Sequence, residues 1–360
     1  GKAKNLLRQV QNKLGLQTRS KLTRLNLHDT KVSGNLTALQ QYKCLTALDL
    51  SSTKIKGRLG HILHEKTKMT QLNLGDTGVS GDLQDLGGAT TLTQLKLHGT
   101  KVSGNLQSLQ KATELTELDL SSTPVIGDLR ELQNATKLRE LNLHGKNISG
   151  DLRALHKHRS LTVLDLSNTK VKGHLRELLQ NDTSMSQLNL GGTGVSGELQ
   201  DLSGATGLTD LNLSGTPVSG DLQALKSTVG LTSLDLFDTS VSGNLQDLQD
   251  AKSLRELNLY GLNISGDLKD LHHAQNLQQL VLHDTHIIGN LKALRQAPQL
   301  RRLDLCGTKA SGDLEALQGA KNLTEVDLSS TLVFGNLSEL RNASNLKKLN
   351  LYGLSISGNL

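Results

Sequence analysis

The chain repeats itself with a period that admits few folds. Aligned on the pattern L-x-x-L-x-L, first positions fall at Leu22, Leu45, Met69, Leu92, Leu115, Leu138, Leu161, Met185, Leu208, Leu231, Leu254, Leu277, Leu300, Leu323 and Leu346. Two of these spacings, 45 to 69 and 161 to 185, are 24 residues and the other twelve are 23. A unit this short cannot bury its own leucines, so each is stable only against its neighbours and the core becomes a stack of leucine rows. Leucines at positions 4 and 6 of each unit alternate as an inward-facing strand does, with solvent-facing residues between them. One strand per unit gives a parallel sheet, and at about 4.8 Å per strand the units build a solenoid roughly 70 Å long.

The full consensus is L-x-x-L-x-L-x-x-T-x-V-S-G-[DN]-L-x-x-L, followed by about five small or polar residues, often with alanine three before the next start (Ala89, Ala112, Ala135, Ala205, Ala251, Ala274). Glycine holds position 13 in every unit, from Gly34 to Gly358, which calls for an unusual backbone conformation or a close approach between coils. Threonine holds position 9 except at Lys146, Leu262 and Leu354, each followed by Asn147, Asn263 or Ser355, to which the polar role would pass.

This pattern resembles the leucine-rich repeat family over residues 22 to 360, and its S-G-x-L segment ("TKVSGNL", 100 to 106; "TPVSGDL", 216 to 222) resembles the plant-type subclass. Threonine stands where that subclass carries asparagine, and leucine without proline where it carries Ile-Pro, so a hormone-receptor reading does not transfer. The resemblance implies an α/β solenoid, a right-handed coil with a parallel sheet on the concave face. It implies that the inward threonine serves backbone groups of adjacent coils, and that the exposed face (positions 2, 3, 5, 7 and 8) binds partners. Function is otherwise left open by a fold of this kind. Residues 22–137 and 138–253 also align as two five-repeat blocks, each with its 24-residue repeat second.

Before the repeats, residues 1–21 form a basic N-terminal segment. Leu6, Leu7, Val10 and Leu14 at helical spacing, closed by Gly15, predict a helical cap on the open end of the stack. The net charge of +6 comes from residues 1–25, which hold seven cations and no acid; the remaining 33 basic and 34 acidic residues cancel. With five aromatic residues in the whole chain to stack on bases, no nucleic-acid partner is expected. No apolar run of membrane-spanning length occurs. Cys44 and Cys306 lie too many coils apart to pair, and neither cysteine-rich caps nor a signal-peptide core is visible, which favours an intracellular compartment. Nine N-x-[ST] sequons, among them Asn134, Asn181, Asn212 and Asn342, point the other way.

Nothing in the repeats reads as catalytic. The pairs His61/His64, His156/His158 and His272/His273 sit in separate coils on the side away from the main strand, without shared carboxylates, and are read as solvated rather than as metal ligands. Asp and Asn alternate at position 5 as a repeat feature, whereas a site needs one place to differ from the rest. An ice-binding threonine ladder is disfavoured, because the resemblance implies that position 9 turns inward. No enzyme, cofactor or metal is therefore expected. The expected function is a scaffold binding a protein or peptide through the main sheet face. The alternatives are an extracellular recognition domain for glycan or peptide, and a structural subunit of a larger assembly. Because the fifteenth repeat stops at position 15, a partner or further repeats are expected over that end.

One place does differ. Position 7 holds Ser, Gly, His or Cys in most coils, but Phe237, Tyr260 and Tyr352 in three. Phe237 and Tyr260 are consecutive, and His283 follows in the same column. Around them stand Asp235 and Asn258 at position 5, and Glu256 and Arg302 at position 3. Aromatics on neighbouring strands can simply stack and cover the sheet; rigid rings beside hydrogen-bonding groups are also what binding hot spots are made of. These eight residues are the candidate partner-binding site.

Overall fold

A computed structural model describes residues 21–63, 68–145, 147–178 and 184–358. The expected cap over residues 1–21, apart from Lys21, and with it His64, Lys146 and Asn181, lies outside the described residues. The chain divides into two compact units, residues 1–173 and 174–360. The first contains seven main strands and the second eight, one for each of the fifteen repeats. Each main strand is three residues long, positions 3 to 5, and within each unit pairs in parallel with the next at unchanged register. Arg24, Leu25 and Asn26 lie opposite Ala47, Leu48 and Asp49, and Glu256, Leu257 and Asn258 opposite Gln279, Leu280 and Val281.

Coil 9 shows how the period becomes a core. Leu208, Leu211, Leu213, Val218, Leu222 and Leu225 are all 2% exposed or less. They are positions 1, 4, 6, 11, 15 and 18, so this coil offers six apolar side chains to the interior. The last coil differs: Leu349, at position 4, is 40% exposed.

Position 9 works within its own coil, not on its neighbours. All twelve threonine hydroxyls donate to the carbonyl oxygen three residues earlier, from Thr30 on Leu27 to Thr331 on Leu328, at 2.5–2.7 Å. Several of those hydroxyls then accept the N–H two residues on, as Thr308 does from Ala310 at 3.3 Å. Where leucine replaces threonine, the polar role does not pass along the chain. Leu262 is buried, Asn263 and Ser355 are exposed, and the Ile264 N–H instead donates to the Leu262 carbonyl at 2.8 Å. An apolar side chain fills the slot and the backbone closes on itself.

A second strand follows at positions 10 to 14, such as Lys54–Arg58 and Ser240–Asn244. In the first unit this second ladder narrows at one point to a single bridge between Asn105 and Ile126. Strands Ser33–Asn35, Lys54–Arg58, Gly78–Asp82 and Lys101–Ser103 form a four-stranded sheet, and the next strand is only Gly127–Asp128. Pro124 opens that coil's segment and has no N–H to give the ladder.

Position 13 needs glycine for both expected reasons. Gly243 has φ +133°, and a Cβ there would lie 2.9 Å from the Leu222 nitrogen of the preceding coil. Position 14 then caps a one-turn 3-10 helix: in eleven coils its Asp or Asn side chain accepts the N–H two residues on, as Asp221 does from Gln223 at 2.9 Å. The helical side of the coils is thus mostly 3-10, the exception among the described residues being the short α-helix Gly60–Leu63 in a 24-residue coil. Capping is lost in both long coils, where position 14 is Arg58 or His174.

Candidate functional site

The exposed face of the main sheet is built by two local rules. At position 5, Asp or Asn accepts the N–H of position 7 in thirteen coils. At position 8 the chain turns through positive φ, and the eight non-glycine residues that do so are all Asp, Ser or Asn, from Asp29 at 54° to Ser330 at 56°. Together they hold the position 7 side chain at a fixed turn, one above another from coil to coil. The alternation of Asp, Ser, Asn and Gly at position 8 carried that second rule in the sequence.

Two coils lack the position 5 cap, with Lys96 and Val281 in its place, and both carry histidine at position 7. His283 lies between two carboxylates, Asp304 at 3.3 Å from Nδ1 and Asp284 at 3.4 Å from Nε2. Its ring also receives Tyr260 edge-on, with centroids 4.7 Å apart and planes at 85°. On its other side Tyr260 stacks on Phe237 at 5.1 Å and 29°. Three side chains from consecutive coils therefore form one continuous aromatic column. Phe237 is 38% exposed, Tyr260 and His283 are half-buried, and Val281, in a slot open to solvent in other coils, is 7% exposed.

Of the polar residues predicted around the column, Asp235 and Asn258 hold its backbone, while Glu256 and Arg302 pair with other side chains. Asp235 accepts the Phe237 N–H at 3.0 Å, and Asn258 that of Tyr260 at 3.3 Å. Burial pushes the Asp235 carboxyl above its ordinary value, against the hydrogen bonds from the Phe237 N–H and the Asn258 side chain. Glu256 is exposed and accepts from Gln279 at 3.2 Å. Arg302 faces Glu325 at 3.7 Å on the wall of a cleft of about 520 Å³ that also takes in Asp304, Asp327, Lys348 and Asn350. Because Asp304 touches His283, the cleft begins where the aromatic column ends. Tyr352 stands apart, 79% exposed, three coils beyond His283 with Cys306 and Ser329 between. Those two are joined, Ser329 Oγ donating to Cys306 Sγ at 3.2 Å, and burial raises the Cys306 thiol above its usual range.

Of the six histidines read as solvated, three are exposed, and one is a correction. His156, His272 and His273 are exposed and His61 is half-buried. His158 is buried at 5% exposure, with Nε2 3.2 Å from the Leu132 carbonyl oxygen, and burial lowers its pKa. It occupies the slot filled by alanine in most coils, which is a core position. Among the described residues no three His, Cys, Asp or Glu side chains are grouped to hold a metal ion, and no helix is long and apolar enough to cross a membrane.

Solved structures identify the architecture. The PEPR1–AtPEP1 complex superposes with a TM-score of 0.78 at 24% identity, over 97% of this chain and 51% of that one. The plant peptide hormone receptor RGFR1 in complex with RGF2 gives 0.71 at 24%, over 95% and 56%. An internalin from Listeria monocytogenes gives 0.61 at 22%, over 96% and 93%. The chain has the leucine-rich repeat fold. It spans about half the length of the plant receptor ectodomains it superposes on. No protein-family model and no curated protein sequence matches it.

Proposed function

We propose that this leucine-rich repeat chain is a non-enzymatic scaffold that binds a peptide or a protein segment along the exposed face of its main sheet in the second unit. The aromatic column Phe237–Tyr260–His283 is the anchor, and the observation that carries the reading is its continuity: one ring in contact on each side of Tyr260, in a column otherwise occupied mostly by small or polar groups. Rings locked against one another lose little freedom when a partner lands on them, and hydrogen-bond capacity nearby fixes its direction. The ligand packs an apolar side chain on Phe237 and Tyr260 and directs polar groups past Glu256 and Asn258 toward Arg302, with Tyr352 marking the far limit of the path. Several solved structures of this fold, including RGFR1 with RGF2 and PEPR1 with AtPEP1, are complexes with peptides, which supports the reading by analogy of fold.

The test begins with a pull-down from the native source to recover the partner, followed by titration of variants. Tyr260→Ala is expected to weaken that partner by about 2 kcal/mol, roughly 30-fold, and Phe237→Ala by a smaller amount. Ser51→Ala, in the same column of the first unit, should leave affinity unchanged. Wild-type affinity in both aromatic variants would reduce the column to surface packing.

A further inference from the structure

A second site stands on the other ladder, in the first unit. The outward positions of the second strand are 10, 12 and 14. Coil 2 is the only one in which Lys or Arg fills all three: Lys54, Lys56 and Arg58, all exposed. Register sets Arg58 opposite Ser80 and Ser80 opposite Lys101. The row therefore reads cation, hydroxyl, cation, with the two cations about 10 Å apart at the backbone across two strand spacings. Neither Arg58 nor Lys101 has an ion-pair partner among the described residues. Side chains of their length can converge over the small serine, at the distance that places both within reach of one tetrahedral oxyanion.

The row opens into a cleft of about 600 Å³ whose further walls include Ser103, Asp82 and Asp85. Asp82 already accepts the Gln84 N–H at 2.8 Å, so one oxygen is committed to capping. Two carboxylates beside a hydroxyl accept hydrogen bonds from alcohols, and they oppose a second anion. The two ends of the cleft thus ask for different chemistry in a single ligand. Position 14 supplies Arg58 here in place of the Asp or Asn that caps the helix in most coils, so a stabilising group has been replaced by a cation aimed at the cleft.

The molecule contains its own control. The second 24-residue coil repeats the basic strand as Lys170–His174, yet the corresponding row there is His174, Ser196 and Pro217. The serine is kept but both flanking Lys or Arg are absent, and His174 is turned to Ser196 at 3.2 Å. The duplicated coils share the scaffold, and only the first completes the cation pair.

We propose that this cleft binds a phosphorylated polyol, its phosphate held between Arg58 and Lys101 over Ser80 and its hydroxyls against Asp82, Asp85 and Ser103. The assignment is independent of the aromatic column. Calorimetry on the whole chain with inositol monophosphate and with inorganic phosphate tests it, beside flotation with phosphatidylcholine vesicles with or without phosphatidylinositol phosphate to separate a free ligand from a lipid headgroup. Inositol monophosphate should bind more tightly than phosphate alone. Arg58→Gln and Lys101→Gln should each weaken it about ten-fold, whereas Lys309→Gln, an exposed cation at position 10 of a distant coil, should not. Asp85→Asn should weaken inositol monophosphate but not inorganic phosphate. Absence of binding in both the calorimetric and vesicle experiments overturns the proposal. So does binding that Lys309→Gln reduces as much as Arg58→Gln, or binding of heparin or RNA with none of either phosphate, because each marks general attraction to polyanions.

Discussion

Coils 4 and 12 are the two that give up the position 5 cap, and they resolve the loss in opposite ways. In coil 4, Lys96 takes the slot and pairs with Glu117 at 2.7 Å, while His98 lies 3.4 Å from Asp119 and 3.6 Å from Asp76. Its column neighbours are Gly75 and Ser121, so the half-buried histidine stands among charged and small groups with no ring beside it. In coil 12 the slot holds Val281, and His283, which shares with His98 the position 5 aspartate of the next coil but takes its second carboxylate from its own coil, receives Tyr260 on its ring. Strand register is common to both; one side chain beneath and one beside the imidazole turn a polar patch into part of an aromatic column. In a solenoid of this kind the surface is written slot by slot on a scaffold that does not respond to it.

That independence predicts first that scaffold changes cost the same in either coil. Gly104 and Gly289, at position 13 of the two coils, have φ +107° and +108°, and a Cβ on either would lie 2.9 Å from a backbone nitrogen of the preceding coil. Alanine at each should destabilise its unit by about 3 kcal/mol, the sum of backbone strain and displacement of a packed neighbour. Urea unfolding monitored by hydrogen exchange in each unit reads both. A clear inequality between the two would show that the coils differ beneath the surface as well. The next effect should be unequal: Tyr260→Ala should cost the partner about 2 kcal/mol while His98→Ala costs it nothing. Loss of affinity in the His98 variant would move the binding face into the first unit.

How much of this was legible depends on whether a residue acts along the chain or across coils. Period 23 alone put Phe237, Tyr260 and His283 into one column and buried every leucine row, because parallel in-register pairing turns a sequence repeat into spatial adjacency. The capping roles of positions 5, 8 and 14 were visible as Asp, Asn, Ser and Gly preferences, but assigning them required backbone angles. Half-burial of Tyr260 was not legible, since it depends on the sizes of its neighbours two ways along the column. The cation row at Arg58 was hidden by summation: outside the N-terminal segment the charges cancel, and only counting them by position within the repeat separates Lys54, Lys56 and Arg58 from the rest. His158 was misplaced for a related reason, its neighbours along the chain being polar while its counterparts across coils are alanines.

The two units also differ in the titrating group each buries. In the first, His158 is held neutral by burial, its pKa below the ordinary value. The unfolded chain then takes up a proton at higher pH than the folded one, so stability is intact above about pH 6.5 and falls as the pH drops from there toward the lowered folded value. His158→Ala, which restores the residue common in this slot, should flatten that acid-side loss in the first unit and leave the second unchanged. Hydrogen exchange between pH 5 and 8 would show it, and an unchanged slope would mean that other groups govern the acid limit.

In the second unit the sign reverses and the effect is smaller. Burial raises the Asp235 carboxyl pKa above its ordinary 3.8. The folded state binds this proton more tightly than the unfolded state, so the group favours folding at low pH and costs stability as the pH rises through the raised folded value. Asparagine, which fills position 5 in several other coils, keeps the acceptor oxygen for the Phe237 N–H and carries no charge to desolvate. Asp235→Asn should therefore stabilise the second unit at neutral pH by about 0.5 kcal/mol, a modest gain because a partly exposed carboxylate keeps much of its hydration. The difference should close below the ordinary carboxylate range, where the wild-type group is neutral as well. Denaturation midpoints measured on both sides of that range separate this from a pH-independent gain, which would instead mean that asparagine packs better under the aromatic column and that the charge of Asp235 is without consequence.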